Sequence, residues 1–192
     1  MTVAIINSGG ANLGSVQRAV DKIGYKAIIT KEIKDIIDST HVIIPGVGSA
    51  HNVMRSLKET NLIQTIKNLS QPVLGICIGM QILFEFSDEG KVDCLGLIPG
   101  SVERFKKLDN LKVPQMGWNK VSFNNSLTEF DNYYYFANSY FNPINQFTIA
   151  KSQYGVSFTA AIKYKNFIGC QFHPEKSSLA GSKFLNNFLQ SS

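Results

Sequence analysis

Three apolar runs in the first half of the chain, Val3–Ile6, Val42–Ile44 and Val73–Ile76, are too short to form helices and contain no polar side chain. Such runs are typical of strands that are buried on both faces of a parallel sheet. The segments between them, including Asn12–Ile23 and Val53–Leu69, carry apolar residues at helical spacing. This alternation predicts a parallel sheet with helices on both of its faces.

The first half also predicts a strand at Tyr25–Ile29 and a short helix around Ile33–Ile37.

The second half of the chain follows a different pattern. After about Leu97 the chain becomes rich in short β segments, predicted at Lys112–Met116, Tyr133–Tyr140, Phe147–Ser152, Ala160–Tyr164 and Phe167–Phe172. A helix at Leu179–Leu189 closes the chain. We therefore predict one α/β domain over residues 1–192, with a mostly parallel sheet flanked by helices and antiparallel strands added in the second half.

Composition narrows the class of protein. Apolar residues make up 44% and charged residues 17% of the chain, as in ordinary soluble proteins. No apolar run approaches the roughly 18–20 residues that span a bilayer, and no cationic segment leads an apolar one as in a signal peptide. Three cysteines without CxxC spacing argue against zinc and disulfides and favour the cytoplasm. The net charge of +5 is spread over scattered lysines, so we expect no nucleic-acid partner.

A lone cysteine stands between two glycines in the segment PVLGICIGMQILF. A helix opening at Met80–Phe84 would place Cys77 on a strand-to-helix turn, at the sheet edge where open α/β folds bind ligands. Gly75 and Gly79 lack the Cβ atoms that would obstruct such a turn, and the positive end of a helix favours the reactive thiolate. This segment alone is equally compatible with a nucleophile and with a buried cysteine packed as a small apolar residue.

A nucleophilic cysteine needs a base and a group that orients the base. Two of the three histidines, His41 at the start of a strand and His51 at the start of a helix, are expected on the surface. His173 instead ends a strand at the sheet edge predicted for Cys77. Residues two apart in an extended segment project to the same side, so Glu175 can reach the imidazole. The HPE segment is therefore either part of a Cys–His–Glu triad or a solvated turn.

An acyl-transfer site also needs N–H donors for a developing oxyanion. The backbone N–H of Ile78, directly after Cys77, is one candidate. Val47 is the other, because Gly46 and Gly48 on either side leave its peptide free to adopt unusual orientations. The same PGVG letters also suit an ordinary turn.

The motifs PGVG, GICIGMQ and QFHPEKS, in this order and spacing, resemble those of the class I (triad-type) glutamine amidotransferases. The segments NLGSV, IPGSVERF and VPQMGWN narrow the resemblance to the glutaminases of histidine biosynthesis, over about Val3 to Leu189. The resemblance implies a flavodoxin-like domain that hydrolyses L-glutamine with Cys77 as nucleophile, His173 as base and Glu175 as its orienter. It implies no metal and no organic cofactor.

The resemblance also implies a partner, a (β/α)8-barrel cyclase subunit that receives the ammonia in a heterodimer. It implies further that four residues hold the glutamine: Gly48, Gln81, Ser139 and Tyr140. The chain departs from the family pattern at Asn138, where relatives often have His, and at Asn7-Ser8, where relatives commonly have an acidic-aromatic pair. Both positions bear on substrate fit or partner contacts.

Three alternatives stay open from the sequence. A related glutaminase could supply ammonia for sugar amination by a barrel partner. A cysteine hydrolase or chaperone-like protein of the same broad fold would also use a strand-to-helix elbow, although VPQMGWN argues against it. A silent binding subunit would have no need of Cys77 with His173 and Glu175.

Overall fold

Buried parallel strands form the first half of the fold, in a computed structural model that describes residues 2–9, 12–46, 48–107 and 111–191. The strands of this half are β1 (Thr2–Ile6), β2 (Lys26–Thr30), β3 (His41–Ile44) and β4 (Val73–Ile76). Every residue of β3 and β4 is buried, as expected of strands covered on both faces. The helices between the strands are α1 (Leu13–Lys22), α2 (Ile33–Asp38), α3 (Ala50–Glu59) and α4 (Leu62–Lys67).

Most of the second half is β structure. A single turn of helix, α5 (Ile78–Gln81), follows β4. The strands after it are β5 (Phe84–Ser87), β6 (Val92–Asp93), β7 (Ile98–Arg104), β8 (Gln115–Phe123), β9 (Asn132–Asn138), β10 (Tyr140–Phe141), β11 (Thr148–Tyr154), β12 (Val156–Tyr164) and β13 (Phe167–Cys170). Short 3-10 helices lie at Asn125–Phe130 and Pro174–Lys176, and α6 (Ser178–Leu189) closes the fold.

Within the described residues, the large sheet has the strand order β2-β1-β3-β4-β13-β12-β11-β8-β9. The pairs from β2 to β13 are parallel, and those from β13 to β9 are antiparallel. A smaller sheet has the order β10-β7-β5-β6. The predicted α/β fold with antiparallel strands added in the second half is confirmed.

Strand β13 belongs to the end of the chain but lies beside β4. In the parallel register, Cys170 is opposite Ile76, the last residue of β4. The residues that follow these two strands therefore emerge at the same edge of the sheet, as expected for the carboxyl ends of neighbouring parallel strands. This placement brings Cys77 and His173 together although 96 positions separate their numbers in the sequence.

An aromatic cluster packs α6 against the antiparallel part of the sheet. The ring centroids of Tyr134 and Phe172 are 4.1 Å apart, and those of Phe172 and Phe184 are 5.2 Å apart. Helix α6 buries four apolar side chains, those of Phe184, Leu185, Phe188 and Leu189. Phe172, next to His173, is thus packed between Tyr134 of the sheet and Phe184 of α6, which holds the segment that carries His173 in place.

The predicted helix at Met80–Phe84 is wrong. Helix α5 ends at Gln81, and Phe84 begins β5, where it pairs with Ile98 of β7. A short apolar run such as Ile82–Phe84 suits a buried helix and a buried strand equally, so its periodicity could not separate them. The predicted helix over Val53–Leu69 is likewise divided into α3 and α4, and Asn61 between them has a left-handed backbone.

The expectation of a solvated His41 is also wrong. The side chain is buried, its ring packs edge-on against Phe188 at 5.2 Å, and its Nε2 lies 3.0 Å from the Ser191 carbonyl oxygen. The end of the chain covers this strand, which no local pattern around His41 indicates. His51 is exposed, as expected. Among the helices of the described ranges, none combines the length and apolar character that crossing a membrane needs.

Candidate active site

Cys77 lies at the elbow between β4 and α5. Its backbone has φ 56° and ψ −109°, an unusual conformation for a residue with a side chain. Its N–H donates to the Cys170 carbonyl oxygen at 2.7 Å, which ties the elbow to the end of β13. Cys77 is almost fully buried but lines a cavity of about 250 Å³. The elbow therefore presents the thiol to a confined space.

The elbow packs backbone against backbone with the end of β3. A Cβ atom on Gly79 would lie 1.8 Å from the carbonyl oxygen of Ile44, and one on Gly46 would lie 2.4 Å from the Gly79 nitrogen. Real Cβ atoms do not approach this closely, so only glycine fits at both positions. The absence of these two side chains sets the loop that begins at Gly46 directly against the first turn of α5.

His173 approaches Cys77 from the neighbouring strand. Its N–H donates to the Tyr135 carbonyl oxygen at 2.8 Å, and its Nδ1 is 2.8 Å from Oε1 of Glu175. The ring and Cys77 line the same cavity, and Cys77 is close enough to raise the pKa of the imidazole. Since Nδ1 is engaged by Glu175, Nε2 is the nitrogen left for the sulfur. The structure thus brings the three predicted residues into one series, in which Cys77 lies beside His173 and His173 is hydrogen-bonded to Glu175.

Asn12 completes this series and was missed by reasoning from the sequence. Its Nδ2 donates to Oε1 of Glu175 at 2.7 Å, the same oxygen that bonds His173. The Glu175 side chain is 1% exposed, so these bonds hold a buried carboxylate. Asn12 precedes α1 within the NLGSV segment, and its only sequence signal was membership in that motif.

The electrostatics of the site favour a charged His173. Burial by itself would lower the pKa of His173, but the neighbouring Cys77 and Glu175 together raise it to about 10. At neutral pH the imidazole therefore holds a proton beside the sulfur. Away from His173, burial raises the pKa of Cys94 to about 12 and that of Cys170 well above its usual range. Both remain thiols at neutral pH.

Of the two predicted oxyanion donors, Ile78 lies within the described residues and Val47 does not. Ile78 lines the cavity next to Cys77, and as the first residue of α5 it has an N–H outside the normal helical bonding pattern. Val47 lies outside the described residues. Its neighbours Gly46 and Gly48 both line the cavity, and Gly48 has φ 100°.

All four residues expected to hold glutamine line the same cavity: Gly48, Gln81, Ser139 and Tyr140. Gln81 is 2% exposed, and its Nε2 already donates to the Tyr140 carbonyl oxygen at 3.0 Å and to Oε1 of Gln171 at 2.8 Å. Both of its N–H groups are thus used within the protein. The part of Gln81 left for a ligand is its Oε1, which can only accept.

Glu89 is a second residue that the sequence did not reveal. It lines the cavity, and its Oε2 accepts a hydrogen bond from the Ala50 N–H at 2.9 Å. Burial raises the pKa of Glu89, an effect that the Ala50 bond opposes. Asn138, a departure from the family pattern, also lines the cavity and donates to the Tyr140 carbonyl oxygen at 2.9 Å. Within the described ranges, no three His, Cys, Asp or Glu residues are grouped to hold a metal ion.

Comparison with known proteins agrees with this geometry. The family model described as glutamine amidotransferase class-I matches residues 4–191. The chain therefore belongs to the class-I glutamine amidotransferase family. It is an enzyme of the class that the elbow, the histidine and the carboxylate define.

Two relatives are similar to this chain over nearly its full length. The chain is 45% identical over 196 residues to the imidazole glycerol phosphate synthase subunit HisH of Buchnera aphidicola subsp. Schizaphis graminum, covering 99% of this chain and 100% of that protein. It is 46% identical over 195 residues to the subunit of the same name from Haemophilus influenzae (strain ATCC 51907 / DSM 11121 / KW20 / Rd), covering 99% and 98%.

Solved structures support the fold. A glutamine amidotransferase crystal structure superposes with a TM-score of 0.78 at 15% identity, covering 98% of this chain and 97% of that one. The PurLQS structure from Thermotoga maritima gives a TM-score of 0.71 at 17% identity, covering 98% and 97%.

Proposed function

We propose that this chain is the glutaminase subunit of an imidazole glycerol phosphate synthase, acting as a single domain. It hydrolyses L-glutamine to glutamate and ammonia, and the ammonia passes to a (β/α)8-barrel cyclase subunit. The observation that carries the hydrolytic step is that Cys77 and His173 line one cavity, while Oε1 of Glu175 is bonded to both His173 and Asn12. Full-length similarity to the HisH subunits supports the pathway and the partner.

The reaction proceeds through a thioester. The Cys77 thiolate attacks the carboxamide carbon of glutamine, and the oxygen of the tetrahedral intermediate is held by the backbone N–H groups of Ile78 and Val47. Collapse breaks the C–N bond, and the proton on His173 goes to the departing ammonia. The neutral imidazole then takes a proton from water, which attacks the thioester and releases glutamate and the Cys77 thiolate.

The charges around the cavity suit an amino-acid substrate. Glu89 presents a carboxylate to the α-ammonium group of glutamine, and the Ala50 N–H holds this carboxylate in place by donating to its Oε2. Lys176 also lines the cavity and offers a positive charge for the α-carboxylate. Gln81 contributes Oε1 as an acceptor, and Ser139 and Tyr140 line the same cavity. Glutamine is thereby oriented with its side-chain amide towards Cys77.

The partner docks on the face that surrounds the cavity mouth. Three large apolar side chains on the β8–β9 hairpin are exposed, those of Met116 (65%), Trp118 (54%) and Tyr133 (57%). Exposed apolar residues gathered on one face indicate a protein interface. Met116 also lines the cavity, so the barrel subunit would cover the site and receive ammonia without release to solvent.

The acceptor of the ammonia is a ribosyl-phosphate intermediate bound by the cyclase. The products are imidazole glycerol phosphate and an aminoimidazole carboxamide ribotide. A glutaminase that supplies sugar amination is the second candidate, because it would need the same cavity and the same triad. We also propose that the chain works in the cytoplasm, where its three free cysteines stay reduced.

The test is ammonia release from glutamine, measured for the chain alone and with a purified barrel cyclase. We expect the cyclase and its nucleotide substrate to stimulate release, and Cys77→Ser to abolish it. Ring formation from added ammonium salts should survive in Cys77→Ser, because only ammonia production requires the thiolate. Turnover of glutamine by Cys77→Ser would rule out this nucleophile. Stimulation only by a sugar-aminating partner would favour the second candidate.

A further inference from the structure

A buried glutamine contacts the sulfur of Cys77. Nε2 of Gln171 lies 3.5 Å from Sγ of Cys77 in hydrogen-bonding geometry. The Gln171 side chain is 0% exposed, so water does not compete for this bond. Gln171 precedes His173 by two positions, which sends both side chains to the same side of the segment. The sulfur therefore has two polar neighbours from one stretch of chain.

The direction of this hydrogen bond is fixed by a backbone carbonyl. The Tyr140 carbonyl oxygen can only accept, so Gln81 turns its Nε2 towards it, at 3.0 Å. The second N–H of Gln81 then points at Oε1 of Gln171, at 2.8 Å. With its oxygen held by Gln81, Gln171 has its NH₂ group facing Cys77. Gln81 thus orients Gln171, and Gln171 can only donate to the sulfur.

We propose that Gln171 is a positioning residue that holds the Cys77 sulfur as a thiolate aimed at the substrate carbon. This inference rests on the proposed role of Cys77 as the nucleophile. An N–H donor bonds a charged sulfur more strongly than a neutral thiol or a thioester, and a buried site strengthens the difference. Gln171 stabilises the resting thiolate through its N–H, while His173 retains the proton.

The effect of Gln171 depends on which form of the sulfur is present. Loss of the N–H donor removes stabilisation of the thiolate only, so reactions of the thiolate slow most where protons compete for the sulfur. The difference between the two proteins narrows as the pH rises, because that competition weakens in both. A buried amide that only fills space would produce no such dependence on pH.

The test is alkylation of the full chain by iodoacetamide from pH 5 to pH 9, with the modified peptides identified by mass spectrometry. Cys94 and Cys170 stay thiols over this range, because the pKa of Cys94 is about 12 and that of Cys170 is well above its usual range. In Gln171→Met we expect Cys77 to react about tenfold more slowly at the acid end, with a smaller difference from wild type at the alkaline end.

The matched control is Gln17→Met. Gln17 also donates from Nε2 to a carbonyl oxygen, that of Ala27 at 2.9 Å, but it does not line the cavity. This variant should keep the wild-type alkylation profile. A folded Gln171→Met protein with that same profile would overturn the proposal.

A second variant covers the case in which Gln171→Met fails to fold. Gln171→Glu keeps the length of the side chain and an oxygen for Gln81, but it places a carboxylate beside the sulfur. We expect still slower alkylation at low pH, and alkylation as fast as wild type would overturn the proposal. A different result would contradict the proposed function: glutaminase activity retained by Cys77→Ser. If turnover depends on Cys77 but the alkylation profile of the Gln171 variant is unchanged, only the role of Gln171 is contradicted.

Discussion

Nδ2 of Asn12 lies 2.7 Å from Oε1 of Glu175, which joins the start of the first helix to the end of the proposed triad across 163 positions of sequence. The oxygen that accepts this bond is the one that holds His173. Asn12 therefore fixes the carboxylate, and the carboxylate fixes the imidazole. The chain of contacts extends the site beyond the residues that perform the chemistry.

We predict that Asn12→Ala lowers kcat of the complex with the cyclase about tenfold and leaves KM for glutamine nearly unchanged. A hydrogen bond to a buried charged group contributes about 1.5–3 kcal/mol, and its loss lets the Glu175 carboxylate turn away from His173. Asn187→Ala, an exposed position on α6, serves as the control. A rise in KM without a fall in kcat would show that Asn12 acts on binding instead.

His173→Ala and Glu175→Gln should differ in severity. Removing the base abolishes proton transfer and is expected to lower kcat by about 10³-fold or more, within the range of general acid–base catalysis. Glu175→Gln keeps the shape of the carboxylate but removes its charge, so we expect a loss of about 10²-fold. Single-turnover ammonia release separates the two. A greater loss in Glu175→Gln than in His173→Ala would mean that the roles are assigned wrongly.

Gly79→Ala should destabilise the protein by several kcal/mol, because the new methyl group would meet the Ile44 carbonyl oxygen at 1.8 Å and a backbone atom cannot swing aside. Gly14→Ala is the matched control. The Cβ there would meet only the flexible end of Arg18, at 3.2 Å, within helix α1. Thermal unfolding should give a much lower Tm for Gly79→Ala and an unchanged or higher Tm for Gly14→Ala. Equal Tm values would contradict the packing described for the elbow.

The stability of the fold should decrease in mildly acidic solution through His41. Burial lowers the pKa of His41 from 6.5, although its bond to Ser191 opposes this. As pH falls below 6.5, the unfolded chain takes up a proton that the folded chain does not, so the free energy of unfolding drops. Urea unfolding from pH 8 to pH 5 should show the free energy of unfolding of wild type falling relative to that of His41→Gln as the pH falls. The other histidines are common to both proteins, so parallel curves would exclude His41.

Trp118→Ala should weaken binding of the barrel cyclase by about 30-fold or more, the loss typical of a tryptophan at the centre of an interface. The side chain is 54% exposed in the free chain, so Tm should change little. Calorimetric titration with the purified cyclase measures the Kd. Val156→Ala, at another exposed apolar position, is the control. If the two variants bind the cyclase with equal Kd, Trp118 does not lie at the centre of the interface.

Sequence periodicity predicted the parallel half of the fold well, because strands covered on both faces are apolar throughout. It predicted the segment after Cys77 wrongly, since the pairing of Phe84 with Ile98 depends on a strand that comes later in the chain. The place of His173 could be inferred from strand order, because parallel strands end at one edge. The contact of Asn12 with Glu175 could not, since nothing near either residue specifies the other.

The insertion of β13 between β4 and β12 has a consequence for synthesis of the protein. Residues 167–175 are synthesised long after β1 to β4 and the Cys77 elbow, although they lie next to them in the fold. Until β13 enters the sheet, the thiol has neither its imidazole nor Gln171, and Asn12 has no carboxylate to hold. We therefore expect unfinished or truncated chains to be unable to hydrolyse glutamine, which would spare the cell free ammonia from them.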